Sequence, residues 1–235
     1  MYVDALRYCH RKVRRLLWHW CNQFSRPGLH SWVRSCCRTA AAPTLVIGAG
    51  GIIGEILKGV DHISIDIAPE RNPDVILDVC KLTSHFGAES FQTIFMIEVL
   101  EHVADPFAAI KEIYLSLRPG GRVFLSVPYG LEEHDIPHDY WRFTSYGLRR
   151  LLAEFDEVEI KPRGGYASSC LAPFLRLTFQ ERYTDQFIGA VGLIVALPLY
   201  PFLKMLDACV KSKAYASGWH VVATKKNDSP TRSVS

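Results

Sequence analysis

The chain of 235 residues is 49% apolar and 22% charged and carries a net charge of +3. That balance excludes a disordered or collagen-like chain, and the length suits one sizeable α/β core. Residues 1–40 hold eight Lys or Arg against Asp4 alone, so the rest of the chain is acidic. Seven cysteines form an odd set without a Cys-x-x-Cys pair. They point to a reducing compartment, and Cys36, Cys37 and His30 match no zinc spacing, so no metal ligand is expected.

In chain order, Leu6, Val13, Leu16, Leu17, Trp20 and Phe24 recur at helical spacing, with Arg7, Arg11, Arg14 and Arg15 mostly opposite. The pattern predicts a basic amphipathic helical extension over 1–40, suited either to a membrane interface or to packing on the domain. No uninterrupted apolar run follows the cations, which argues against a secretory signal; the Arg-rich, acid-poor segment is compatible with a transit peptide, although serine is sparse.

Next comes Thr44–Asp66: a buried strand (44–47), a turn containing Gly48, Gly50, Gly51 and Gly54, a short helix, and a strand ending on Asp66. Glycines there let backbone approach a ligand closely, as adenosine cofactors require. The dinucleotide fingerprint needs glycine at position 53, which is Ile53, and no Lys-Ser/Thr of a phosphate-binding loop follows. Further strands are expected at 74–78, 91–97 and 122–127. Asp105 and Pro106 open a helix, which Arg118-Pro119-Gly120-Gly121 ends. Strands alternating with helices predict a parallel sheet covered on both faces.

These stretches resemble the class I S-adenosylmethionine-dependent methyltransferases. The carrying segments are LVIGAGGIIGE (45–55), ISIDIAP (63–69), DVILDVCKL (74–82) and 91–128, which contains EVLEHV and LRPGGR. PHDYWRFTSYGLRRLL (137–152) resembles a subgroup associated with bacterial glycan and cell-surface polysaccharide biosynthesis. The resemblance implies a Rossmann-like fold: a mostly parallel seven-stranded sheet with an antiparallel last strand and helices on both faces. GWHVVATKK (218–226) is similar to that last strand. Val46 stands where many members carry an acid, and Ile52 where many carry a third glycine.

By position, the resemblance implies S-adenosylmethionine as cofactor. Gly48, Ala49, Gly50 and Gly51 would surround its methionine portion, Asp66 with Ile67 the ribose side, Asp78 with Val79 the adenine, and Glu98 would lie at the cofactor contact. A hydroxyl acceptor needs a general base. The catalytic candidates are His102 and His138 with Asp139 or Asp135; His134, Tyr140, Trp141 and Arg142 are candidates for substrate contact, Arg142 as a phosphate holder. Expected acceptors are the hydroxyls of a glycan, lipid-linked or small molecule. A non-catalytic binding protein of the same fold and an NAD-linked oxidoreductase are the alternatives, the latter disfavoured by Ile53.

Residues 41–235 form the expected domain, with an apolar helical insertion at 163–217 before the last strand. Within it, 187–203 carries no charge. It is short for a span, and Pro198 and Pro201 are expected to break a straight helix, so an interfacial or re-entrant segment is expected, with a buried helix or a dimer contact as the other readings. The expected setting is cytoplasmic, with peripheral contact to the inner face of a membrane through 1–24 and 187–203. No nucleic-acid partner is expected.

Overall fold

The computed structural model describes Lys12 and residues 16–227. The positions carrying most of the expected N-terminal basic face (Arg7, Arg11, Arg14, Arg15) lie outside them. Residues 16–25 form helix α1. Helix α2 follows (Leu29–Cys37), then β1 (Thr44–Ile47), α3 (Gly51–Leu57), β2 (Ile63–Asp66), β3 (Val75–Ile76), α4 (Leu82–Phe86), β4 (Phe91–Ile97), α5 (Pro106–Ser116), β5 (Leu117–Pro128), α6 (Ser145–Leu151), β6 (Glu157–Arg163), α7 (Tyr166–Arg176), α8 (Tyr183–Cys209) and β7 (Gly218–Thr224).

The seven strands make one sheet in the order β3-β2-β1-β4-β5-β7-β6. Strands β3, β2, β1, β4 and β5 run parallel, with Leu45 opposite Ile63 and Thr44 opposite Thr93. Strand β7 is antiparallel to β5, because Gly120 pairs with Lys225 at one end and Tyr129 with Ser217 at the other. The mostly parallel Rossmann-like sheet is therefore the one the sequence implied. Its chain order reverses between β1 and β4, where an open α/β sheet leaves a crevice beyond the strands' carboxyl ends.

Burial explains the central strands. All four residues of β1 and six of the seven in β4 are buried, as a continuous apolar run covered on both faces demands. Each fully buried Leu, Ile or Phe there contributes roughly 1.5–3 kcal/mol. Helix α5 begins as expected: the Asp105 carboxylate accepts from the Ala108 N–H at 3.0 Å and Pro106 takes the first helical position.

One expected boundary moves. The helix stops at Ser116, and the Arg118-Pro119-Gly120-Gly121 segment belongs to β5, which starts at Leu117 opposite Phe91. A register shift between Phe91 and Thr93 and a positive φ of 73° at Gly120 let the segment bulge and still pair.

The described residues divide into two compact units: 30–128, 133–161 and 219–227 carry most of the sheet, and 16–29, 129–132 and 162–218 form the other. In the second, Cys21, Phe24, Leu131, Ala172, Leu175, Leu193 and Ala196 make a buried apolar cluster. Asp207 near the end of α8 caps the start of α7, its Oδ1 accepting from the Ala167 and Ser168 N–H groups and its Oδ2 from the Ser168 hydroxyl. Gly192 lets α8 approach α7, and Gly189 lets it approach the turn that follows α7, since a Cβ would collide with Phe174 or Thr178 respectively. Pro198 and Pro201 do not end α8, which continues through both to Cys209. They remove two backbone donors, a loss that tertiary packing of the hairpin overrides.

Candidate functional site

The cofactor end is built by the turn after β1. Gly48 and Gly50 have φ of 91° and 78°, a region that glycine enters without penalty. A Cβ at Gly48 would lie 2.5 Å from Val99 Cγ2, so the turn is a backbone cradle that a side chain would fill.

Asp66, at the end of β2, faces this turn. Its Oδ2 accepts from the Ala49 N–H and its Oδ1 from the Ala68 N–H, both at 2.9 Å. A carboxylate offers about four lone-pair directions, so two remain for a ligand's hydroxyls. Ile67 beside it is 70% exposed. Asp78 caps the turn at Val79–Lys81 by accepting from the Cys80 N–H at 2.9 Å, and Val79 is buried. Glu98 follows β4 with φ 55° and accepts from the Ser126 hydroxyl at 2.8 Å. A non-glycine residue held in that region marks a constrained position.

A cleft of about 660 Å³ opens beside the turn, lined by Gly48, Ala49, Gly50, Arg71 and, further out, His62 and Asp74. It shares the glycine turn with the expected site but leads away from Asp78 and Glu98.

The second cluster gathers where β4 ends and the 133–144 loop crosses it. The loop is fixed by backbone: Tyr140 and Trp141 N–H groups donate to the Glu101 carbonyl at 2.8 and 3.2 Å. The Trp141 indole donates to the Val103 carbonyl at 2.9 Å, and its ring stacks with Phe143. His102 Nδ1 donates to the His138 carbonyl at 2.8 Å, which leaves Nε2 as the lone-pair nitrogen of the neutral ring.

Asp139 is the hub. Its side chain is 1% exposed and takes a bidentate pair from Arg142, at 2.7 Å to Oδ1 and 2.6 Å to Oδ2. Oδ2 also accepts from the His134 N–H at 2.8 Å and lies 3.1 Å from His134 Nδ1. Burial pushes the Asp139 carboxyl up, but the Arg142 hydrogen bonds, the His134 N–H and both neighbouring charges outweigh it and hold the pKa at about 2.

This geometry corrects two expectations. His138 is expected to pair with Asp139 or Asp135, yet the partners of Asp139 are His134 and Arg142, and His138 is exposed, with Nδ1 2.8 Å from the Tyr140 hydroxyl. Arg142 was to hold a phosphate, and its guanidinium is committed to Asp139. Sequence reading passed over Glu101, which is fully buried with Oε1 3.7 Å from His102 Nε2 and 3.9 Å from His134 Nε2. Its position directly before His102 in EVLEHV was the signal that could have found it.

Residues 37–161 match the family described as methyltransferase domain. The chain belongs to that family. Among curated proteins, this chain is 30% identical over 112 residues to a ubiquinone biosynthesis O-methyltransferase of Pseudomonas aeruginosa, covering 41% of this chain and 48% of the relative. It is 33% identical over 116 residues to that of Xanthomonas euvesicatoria, covering 40% and 46%. The chain thus spans about half the length of the curated relatives it matches. An S-adenosylmethionine-dependent methyltransferase structure from Archaeoglobus fulgidus superposes with a TM-score of 0.53 at 15% identity, covering 83% of this chain and 94% of that one. One from Thermotoga maritima gives 0.53 at 15%, covering 96% and 100%. The cyclase SpnF gives 0.55 at 16%, covering 85% and 80%, so the fold by itself does not fix the reaction. Family membership does give residues 37–161 a methyltransferase domain.

Proposed function

We propose that this methyltransferase transfers the methyl group to a hydroxyl oxygen of a glycan, lipid-linked or small-molecule acceptor, with His134 as general base. The observation that carries the reading is the Asp139–His134 pair. With Nδ1–H directed at the carboxylate, the neutral ring keeps its basic lone pair on Nε2, 3.9 Å from Glu101 Oε1. The ubiquinone biosynthesis O-methyltransferases among its relatives, named for transfer to oxygen, support the acceptor atom.

In this reading the glycine turn receives the methionine portion, Asp66 accepts from the ribose hydroxyls and Ile67 covers one face of the base. Asp78 and Val79 would border the adenine, and Glu98 the cofactor contact. When bound, S-adenosylmethionine supplies a methyl carbon on a sulfonium that departs as a neutral thioether. His134 Nε2 would take the proton of the acceptor hydroxyl as that oxygen accepts the methyl group. Asp139 and Arg142 keep the ring in its tautomer and stabilise the imidazolium. A base of this kind contributes about 10² to 10⁴ in rate, and positioning contributes up to roughly 7–11 kcal/mol more. Trp141 and Phe143 offer a stacked wall for a sugar, with Tyr140 and His138 at its exposed rim.

A second reading has its own observation: Glu101, His102 and His134 bring one ligand atom each within 4.8 Å of one another. Two histidines and a carboxylate suit a divalent cation that would polarise the acceptor oxygen. Comparing His134→Ala and His138→Ala for product formation, before and after chelation and readdition of magnesium, separates the readings. Loss in His134→Ala alone, unaffected by chelation, supports the base; loss on chelation supports the cation; unchanged turnover in His134→Ala overturns both.

A further inference from the structure

We propose that the outer face of α8 docks flat on an anionic lipid surface. This goes beyond the methyl-transfer reading and does not depend on it. Among the described residues, α8 is the helix long and apolar enough to cross a membrane, with a mean hydropathy of 1.8 in its most apolar window. Only Gly189, Leu193 and Ala196 of it are buried. Their spacing makes one narrow stripe, which the hairpin with α7 holds inward. On the opposite side Phe187, Val191, Ile194, Val195, Phe202 and Met205 are all exposed, Phe187 and Ile194 at 71%. A surface helix normally turns charged or polar residues to water on that side; from Gln186 to Leu203 this one has no charge at all.

The charges that flank the helix identify the occupant. At the N-terminal end Arg182 lies between Glu181 and Asp185, so that end has no excess of cations; Lys204, Lys211 and Lys213 stand at and beyond the last turns, with Lys211 and Lys213 exposed. Lysines clustered at one end of an apolar face match anionic headgroups above an acyl boundary, which such a face enters by about 5–10 Å.

A span is ruled out by the return path. Ser217 N–H donates to the Arg163 carbonyl at 3.0 Å, so the chain leaves and rejoins the sheet at one place. The stretch from Cys209 to Ser217 reaches at most about 29 Å when fully extended, against a hydrocarbon core of about 30 Å. The helix therefore lies in the surface plane, with Lys211 and Lys213 at the headgroups of one leaflet.

The test is co-sedimentation of the full chain with vesicles of phosphatidylcholine alone and of phosphatidylcholine mixed with phosphatidylglycerol. Binding should favour the mixed vesicles, weaken with salt, and fall about tenfold or more in Ile194→Glu/Phe202→Glu, the loss expected when two apolar side chains leave the acyl boundary. It should fall likewise in Lys211→Glu/Lys213→Glu. Unchanged S-adenosylmethionine affinity and melting temperature in both variants show that the fold is intact. Failure to sediment with mixed vesicles, equal binding to both vesicle types, or vesicle-independent dimerisation abolished by Ile194→Glu/Phe202→Glu would each overturn the proposal.

Discussion

His134 Nδ1 lies 3.1 Å from Asp139 Oδ2, and the same oxygen accepts the His134 backbone N–H at 2.8 Å. The carboxylate thus grips both the ring and the main chain of one residue while Arg142 fixes the carboxylate. Asp139→Asn keeps the shape but removes the acceptor that selects the ring's tautomer. Turnover should drop about 10² to 10⁴-fold with S-adenosylmethionine affinity nearly unchanged. Single-turnover rates and calorimetric titration on the same preparation check both halves.

The same pair sets an acid limit. Because the folded Asp139 carboxyl sits at about 2, below its ordinary value near 3.9 in an unfolded chain, it favours the folded state at any pH above the latter. That contribution, about 2 kcal/mol, disappears as pH falls from roughly 4 to 2. Urea titrations of wild type and Asp139→Asn should differ most above pH 5 and converge near pH 2.

Gly48→Ala tests the cradle. The new Cβ meets Val99 and sits at φ 91°, so the turn must distort at a cost of about 1–3 kcal/mol. Cofactor affinity should fall by at least about tenfold, read by calorimetry beside a thermal melt. Gly54, with nothing within 4 Å of a Cβ, should accept alanine without loss and serves as the control.

Asp66→Ala removes an acceptor shared by the turn and the proposed ribose contact. Losing hydrogen bonds to a charged group is worth about 1.5–3 kcal/mol each, so affinity for S-adenosylmethionine should fall tenfold or more. Asp78→Ala should cost less, since its carboxylate already serves the Cys80 N–H. If the two substitutions weaken binding equally, the proposed division between ribose and adenine is wrong.

What the sequence made legible were features with a local cause. Thr44–Ile47 and Phe91–Ile97 are apolar runs closed by turn residues, and they are strands over those bounds. Asp105-Pro106 announces a helix because a cap and a fixed φ act within one turn. What stayed hidden depends on nonlocal packing or on a loop without a period. Asp139 could turn to either of two histidines, and the fold chose the one five residues back. Glu101 joins His134 only because 133–144 crosses the end of β4. In α8 the prolines argued for a break, and packing against α7 overrode a local rule.

The measurement closest to the central claim is transfer of isotopically labelled methyl from S-adenosylmethionine, with extract fractions containing or lacking membranes as acceptor source and mass spectrometry of the products. The account predicts S-adenosylhomocysteine in equal amount to a label carried as an O-methyl ether on a saccharide or lipid-linked saccharide, and loss of both in His134→Ala. Label on nitrogen or carbon, or no turnover by a chain that binds S-adenosylmethionine, would contradict it.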